Sequence, residues 1–133
     1  MKNIVFAMAA LGSILTLSSA DAGTGKATTL MSRDLPDFAG REGMVELVEF
    51  APGEASQVHR HNADLFVYVL EGSVVTQVRG SAAQTIGAGG VFYESPTDIH
   101  SVSRNASETK AAKLLVFYVK TKGAPPTEIV DAK

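Results

Sequence analysis

The chain of 133 residues is 45% hydrophobic and 20% charged, with 12 Gly and 5 Pro, the make-up of one small globular domain rather than of a disordered segment. With 12 Lys and Arg against 14 Asp and Glu the formal charge is −2, and no basic run lies beside interleaved aromatics, which removes a global electrostatic case for nucleic-acid binding. A count of zero Cys excludes a disulfide scaffold, a thiolate metal site and a cysteine nucleophile together, and leaves His and carboxylate for metal chemistry.

In chain order, Lys2 precedes an apolar stretch over residues 4–17, and Ser18, Ser19, Ala20, Asp21 and Ala22 then supply small residues at the spacing a signal peptidase reads. This pattern predicts a signal peptide over residues 1–22, a mature protein starting at Gly23, a periplasmic or secreted location and no membrane attachment after cleavage. An uncleaved anchor is the alternative, but Gly12 and Ser13 interrupt a run already short of the roughly 20 apolar residues a spanning helix needs.

Residues 23–42 read as an extended arm with room for one short edge strand. Strand patterning starts near residue 43. Residues 44–50 form an apolar-rich strand that stops at the turn Ala51, Pro52, Gly53, Glu54. Residues 65–70 are wholly apolar, and Glu71 and Gly72 turn the chain into a returning strand over residues 73–79. Further strands are expected at 91–93, 99–103 and 114–119, and the tail 121–133, with Pro125 and Pro126, is expected on the surface or against another subunit. Short strands divided by glycine turns, without an amphipathic helix in residues 23–133, predict an all-β sandwich or barrel with its core over about residues 43–120.

Three histidines occur, at His59, His61 and His100. On a strand, the i, i+2 spacing of the first two puts both imidazoles on one face, and the same parity continues at Leu65, Val67 and Val69. One reading is a pair of buried neutral histidines satisfied by hydrogen bonds; the other is a metal site, since neutral imidazole is the commonest nitrogen ligand and two strands can present three of them to one ion.

At this point the chain resembles a family. Gly53-x5-His59-x-His61-x3-Leu65-x6-Gly72 is similar to the first cupin motif, G-x5-H-x-H-x3-E-x6-G, at every defined position except the glutamate. Gly89-x5-Ser95-x-Thr97-x2-His100 follows the second motif, G-x5-P-x-G-x2-H, at its glycine and histidine, and Asn105 falls one residue later than the family's asparagine. The resemblance implies a double-stranded β-helix (jelly-roll) barrel over residues 23–133 that pairs as a homodimer. It also implies a divalent metal, Fe(II) first and Mn, Zn, Ni or Cu as alternatives, held by His59, His61 and His100.

Leu65 stands where the family's glutamate would be the fourth protein ligand. Three neutral imidazoles alone would leave the ion's charge uncompensated and more of its positions open, which favours an anionic ligand and catalytic rather than structural use. Cupin oxygenases with three-histidine iron sites are known as a class, so the resemblance implies a metal-dependent oxygenase acting on a small enol, diketone or phenol-like molecule. A non-catalytic binding or sensing module is one alternative. Metal-dependent isomerase or lyase chemistry is another, opposed by the lack of an obvious interior carboxylate to serve as base. Loss of metal at Leu65 in favour of an apolar ligand is also open. Gln57, by parity with the histidines, Leu65 and Tyr93 are the candidate substrate-binding residues, with Tyr93 or Glu94 reaching the mouth. Asp64 should point outward, and Arg60 and Arg79 are ordinary exposed charges.

Overall fold

A computed structural model describes residues 25–131; the expected signal peptide lies outside them. Ten strands follow one another: β1 Lys26–Asp34, β2 Arg41–Phe50, β3 His59–Arg60, β4 Ala63–Glu71, β5 Ser73–Val78, β6 Gln84–Gly87, β7 Val91–Glu94, β8 His100–Asn105, β9 Ala112–Thr121 and β10 Glu128–Ile129. They form two five-stranded antiparallel sheets, ordered β1-β2-β9-β4-β7 and β10-β3-β8-β5-β6. Among the described residues there is no α-helix. Two antiparallel sheets facing one another are the double-stranded β-helix expected from the motifs.

The core forms because residues of one parity on the long strands face inward. Met44, Val48 and Phe50 of β2, Ala63, Leu65, Val67 and Val69 of β4, and Leu114, Val116 and Tyr118 of β9 are buried together. Three charged residues share those inward parities: Glu46 on β2, Glu94 on β7 and Lys120 on β9 are buried. Lys120 is satisfied locally by Glu42 and by the carbonyls of Ala124 (2.6 Å) and Thr121 (3.3 Å).

Gly72 makes the β4–β5 turn at φ 73°, and a Cβ there would lie 2.6 Å from the Ala111 carbonyl oxygen, so only glycine fits. Asn105, at the end of β8, adds side-chain bonds to its backbone pairing: its amide donates to the carbonyls of Ala51 (3.0 Å) and Lys110 (2.7 Å), and its Oδ1 accepts from Ser107 N (2.9 Å).

Two regions are more ordered into sheets than the sequence suggests. The arm supplies a nine-residue edge strand, β1, paired along β2 from Lys26↔Glu49 to Asp34↔Glu42. The tail is not simply a surface segment, because Glu128 and Ile129 pair with Arg60 and His59 and so continue the second sheet. On the opposite side, Phe66, Tyr68, Val91, Tyr93 and Phe117 leave the outer face of the first sheet exposed and apolar.

Candidate metal centre

The histidines arrive where the chain passes between sheets. β3 belongs to the second sheet and β4 to the first, and the crossing occurs at Asn62, the one described non-glycine residue with positive φ (48°). Asparagine tolerates that left-handed conformation. Inward parity survives the crossing, so His59 enters the interior from one sheet and Leu65 from the other. β7 and β8 are joined by a similar corner, in which Asp98 Oδ2 accepts from Ser95 N (2.7 Å) and Asp98 N donates to Ser95 O (3.1 Å). This corner sets Glu94 at the end of the first sheet and His100 at the start of the second.

The structure brings the three histidines together. His59 and His100 are direct cross-strand partners, stacked at 5.3 Å between ring centroids; His59 and His61 meet edge-on at 4.8 Å, and His61 lies 5.8 Å from His100. Two of the rings are oriented from behind. His59 Nδ1 donates to Gln57 O (2.7 Å) and His61 Nδ1 to Pro126 O (3.0 Å), which leaves each Nε2 as the free, lone-pair nitrogen. Thr127 Oγ1 also lies 3.2 Å from His61 Nδ1. Burial opposes the positive charge and lowers the pKa of His59; it pushes His61 down to about 4, against the pull of Glu94, so these rings are neutral at physiological pH.

A fourth group completes the cluster. Leu65, only 1% exposed, is the direct cross-strand partner of Glu94, so both side chains point to the same inner face. Glu94 Oε2 lies 3.0 Å from His100 Nε2 and 3.3 Å from His61 Nε2. The side chains of Glu94 and His100 are 8% and 2% exposed, yet neither Glu94 Oε2 nor His100 Nε2 makes a hydrogen bond. The separations suit hydrogen bonds but the directions do not. Buried polar atoms without a partner are rare and costly, and about 3 Å is the separation of neighbouring donors around an ion with bonds near 2.1 Å. The donor set therefore fits a divalent cation. As the side chains stand, no three His, Cys, Asp or Glu among the described residues are gathered as a finished metal site.

The cluster opens on an interior cavity of about 50 Å³ lined by His59, His61, Leu65, Glu94, Glu46 and Tyr118, among others. Tyr118 Oη donates to Glu46 Oε2 (2.9 Å) and Thr29 Oγ1 to Glu46 Oε1 (3.3 Å), while the Tyr118 ring packs edge-on to His61 at 5.7 Å. Burial, and then the Glu46 charge, push the Tyr118 phenol well above its ordinary pKa, so it stays protonated.

Of the candidate substrate-binding residues, only Leu65 lines this cavity. The Gln57 side chain is exposed, because β3 begins at His59 and strand parity does not reach back to residue 57; its part is the backbone carbonyl that orients His59. Tyr93, 51% exposed, packs on Phe66 outside the barrel and donates to Asp64 Oδ1 (2.5 Å). Its neighbour Glu94 takes the inward position, and Asp64 faces outward as expected. The expected lack of interior carboxylate is corrected: Glu46 and Glu94 both face the cavity. Each shares inward parity with apolar neighbours, Glu46 with Met44 and Val48, and Glu94 with Phe92.

A family model described as a cupin domain matches residues 46–118. No curated protein sequence matches the chain. Among solved structures it is similar to a cupin-like protein from Thermotoga maritima, at 21% identity and a TM-score of 0.62 over 78% of this chain and 74% of that one. An oxalate oxidase in complex with the substrate analogue glycolate matches at 22% identity and a TM-score of 0.62, over 90% of this chain and 62% of that one. The DMSP lyase DddQ from Ruegeria pomeroyi matches at 16% and 0.58 over 66% of this chain, which spans 43% of the lyase. At these identities the likeness is one of fold. The family match over more than half of the chain, the two-sheet barrel and the paired motifs make this protein a member of the cupin domain family.

Proposed function

We propose that His59, His61, His100 and Glu94 hold one divalent metal ion and that the protein is a metal-dependent enzyme acting on a small organic molecule. The observation that carries this reading is Glu94, whose unpartnered Oε2 lies between the imidazoles of His61 and His100. Cupins usually bind a divalent metal, and the oxalate oxidase and DMSP lyase among the structural relatives support an enzyme on this fold. Fe(II), Mn, Zn, Ni and Cu all accept nitrogen and oxygen donors of this kind. When bound, the ion would polarise an oxygen of the substrate.

Glu94 changes the charge expected of the site. Its carboxylate offsets one unit of the ion's charge, so the preference for an anionic ligand is weaker than three histidines alone would give. A cavity of about 50 Å³ admits a few waters or a ligand of few heavy atoms. Glu46 on its wall, bonded by Tyr118, supplies a group for proton transfer, which favours isomerase or lyase chemistry on a small hydroxy or keto acid. Oxygenase chemistry is the second reading, favoured by the positions that four protein ligands leave open on a six-coordinate ion.

Metal analysis of protein purified without a chelating tag, followed by paired aerobic and anaerobic turnover of small hydroxy and keto acids, tests the proposal. One equivalent of metal with oxygen-independent turnover supports it. Oxygen consumption matched to turnover selects the oxygenase, and a metal-free, inactive protein contradicts both. For localisation, we propose export with cleavage after Ala22, which an intact mass beginning at Gly23 would support.

A further inference from the structure

Glu46 has no part in holding the proposed metal, yet it is buried against the same cavity. Its two oxygens each accept one hydroxyl, from Tyr118 and Thr29, and among the described residues no Lys, Arg or His lies within ion-pair distance of it. Lys120, two residues beyond Tyr118 and on the same inner face of β9, is committed to Glu42 and two carbonyls. Buried with two hydroxyl donors and no ion-pair partner, the carboxylate has no cation that would compete with a ligand's hydroxyl for its oxygens. Each of its oxygens retains an acceptor site beyond the one hydroxyl bond it receives. Ser56 Oγ, also buried and without a partner, lines the same cavity.

We propose that Glu46 is the proton acceptor of this site, held in place by Tyr118 and Thr29, and that the cavity takes small ligands whose metal-directed hydroxyl is still protonated. The inference rests on the proposed metal centre and adds a residue to it. On binding, the O–H bond of an enol, hydroxamic acid or hydroxy acid hydroxyl breaks. Its electron pair stays on the ligand oxygen, and the proton forms a new O–H bond with a Glu46 carboxylate oxygen. No oxidant or other reactant is needed. Tyr118 is a positioning residue, because its hydroxyl hydrogen is already directed at Glu46.

The test uses metal-loaded, full-length protein and acetohydroxamic acid, a small neutral acid that chelates metals as its anion. Calorimetry in two buffers of different ionisation enthalpy counts the protons released to solvent on binding. The wild type is expected to release close to none, and Glu46→Gln about one per ligand bound. Tyr118→Phe should keep the wild-type count with affinity about three- to ten-fold weaker, and Glu46→Ala, also expected to release about one proton, serves the comparison if Glu46→Gln does not fold. One proton released by the metal-loaded wild type overturns the role of Glu46 and leaves the metal reading standing. Failure of the wild type to retain metal in elemental analysis removes both.

Discussion

Leu65 and Glu94 face each other across the β4–β7 ladder, so the carboxylate missing from one position of the cupin motif stands on the neighbouring strand, aimed at the same interior. Directly opposed residues of an antiparallel pair share a face, with Cβ atoms about 5 Å apart. A carboxylate on either strand can therefore serve one site.

This relationship predicts a transplantable ligand. Glu94→Leu should lower divalent-metal affinity by one to two orders of magnitude, because it removes the sole anionic donor among the proposed ligands. Combining Leu65→Glu with Glu94→Leu should recover most of that loss. Leu65→Glu alone sets two carboxylates against each other in the interior and should destabilise the metal-free protein by several kcal/mol. Competition titration against a chromophoric chelator and a denaturation curve on each variant provide the check. An unchanged affinity for Glu94→Leu removes Glu94 from the site.

The buried imidazoles predict how the metal-free protein responds to acid. The folded pKa of His61 is depressed, from 6.5 to about 4, and that of His59 shifts in the same direction. A depressed pKa contributes stability that is fully present above the unfolded value and is lost as pH falls through the folded one. The stability of the metal-free chain should therefore decline between about pH 6.5 and pH 4, with His61 alone accounting for roughly 3 kcal/mol of the loss. Urea midpoints at intervals across this range measure it, and His61→Phe should flatten the profile.

How much of this was readable in the sequence depends on the range of the interactions involved. The strands at 44–50, 65–70 and 114–119 announced themselves because local alternation and turn residues mark them, and the histidines did so by their motif spacing. Glu94 stood out only as one of two residues that could reach the mouth, since its place beside the histidines depends on the pairing of Leu65 with a residue 29 positions away, and register is a tertiary property. Its parity with Phe92 was the available local signal. Glu46 offered the same kind of signal between Met44 and Val48. The reading of Gln57 failed for the opposite reason: a two-residue strand does not carry parity beyond its own ends. β10 has only two residues and is defined by its partner β3, so no local pattern could reveal it.

The tail that β10 belongs to bears on His61 as well as on the sheet. Glu128 bonds Arg60 through two contacts of 3.1 Å and Asn62 at 2.7 Å, the residues on either side of His61, and the carbonyl of Pro126 orients the ring itself. These bonds are exposed and screened by solvent, so they add little to stability. Glu128→Ala should thus leave the melting temperature nearly unchanged while weakening metal affinity several-fold, because the groups that orient a ligand are displaced. Thermal denaturation and metal titration of the same variant separate the two effects.

Asn105 predicts the reverse pattern, a large structural cost with no direct effect on the proposed ligands. Its side chain satisfies the carbonyls of Ala51 and Lys110 and the amide of Ser107 in the interior. Asn105→Ala leaves these groups unpaired and should cost about 2–4 kcal/mol. Equilibrium denaturation reads the loss, and metal stoichiometry at a temperature where the variant remains folded should match the wild type.

The most direct test of the metal centre is elemental analysis of the protein after reconstitution and desalting, with single alanine variants of His59, His61, His100 and Glu94 measured in parallel and their folding verified by circular dichroism. The predicted result is one divalent ion per wild-type chain and a clear loss in each of the four variants. A wild type that retains no metal, or four folded variants that all retain one equivalent, would contradict the account.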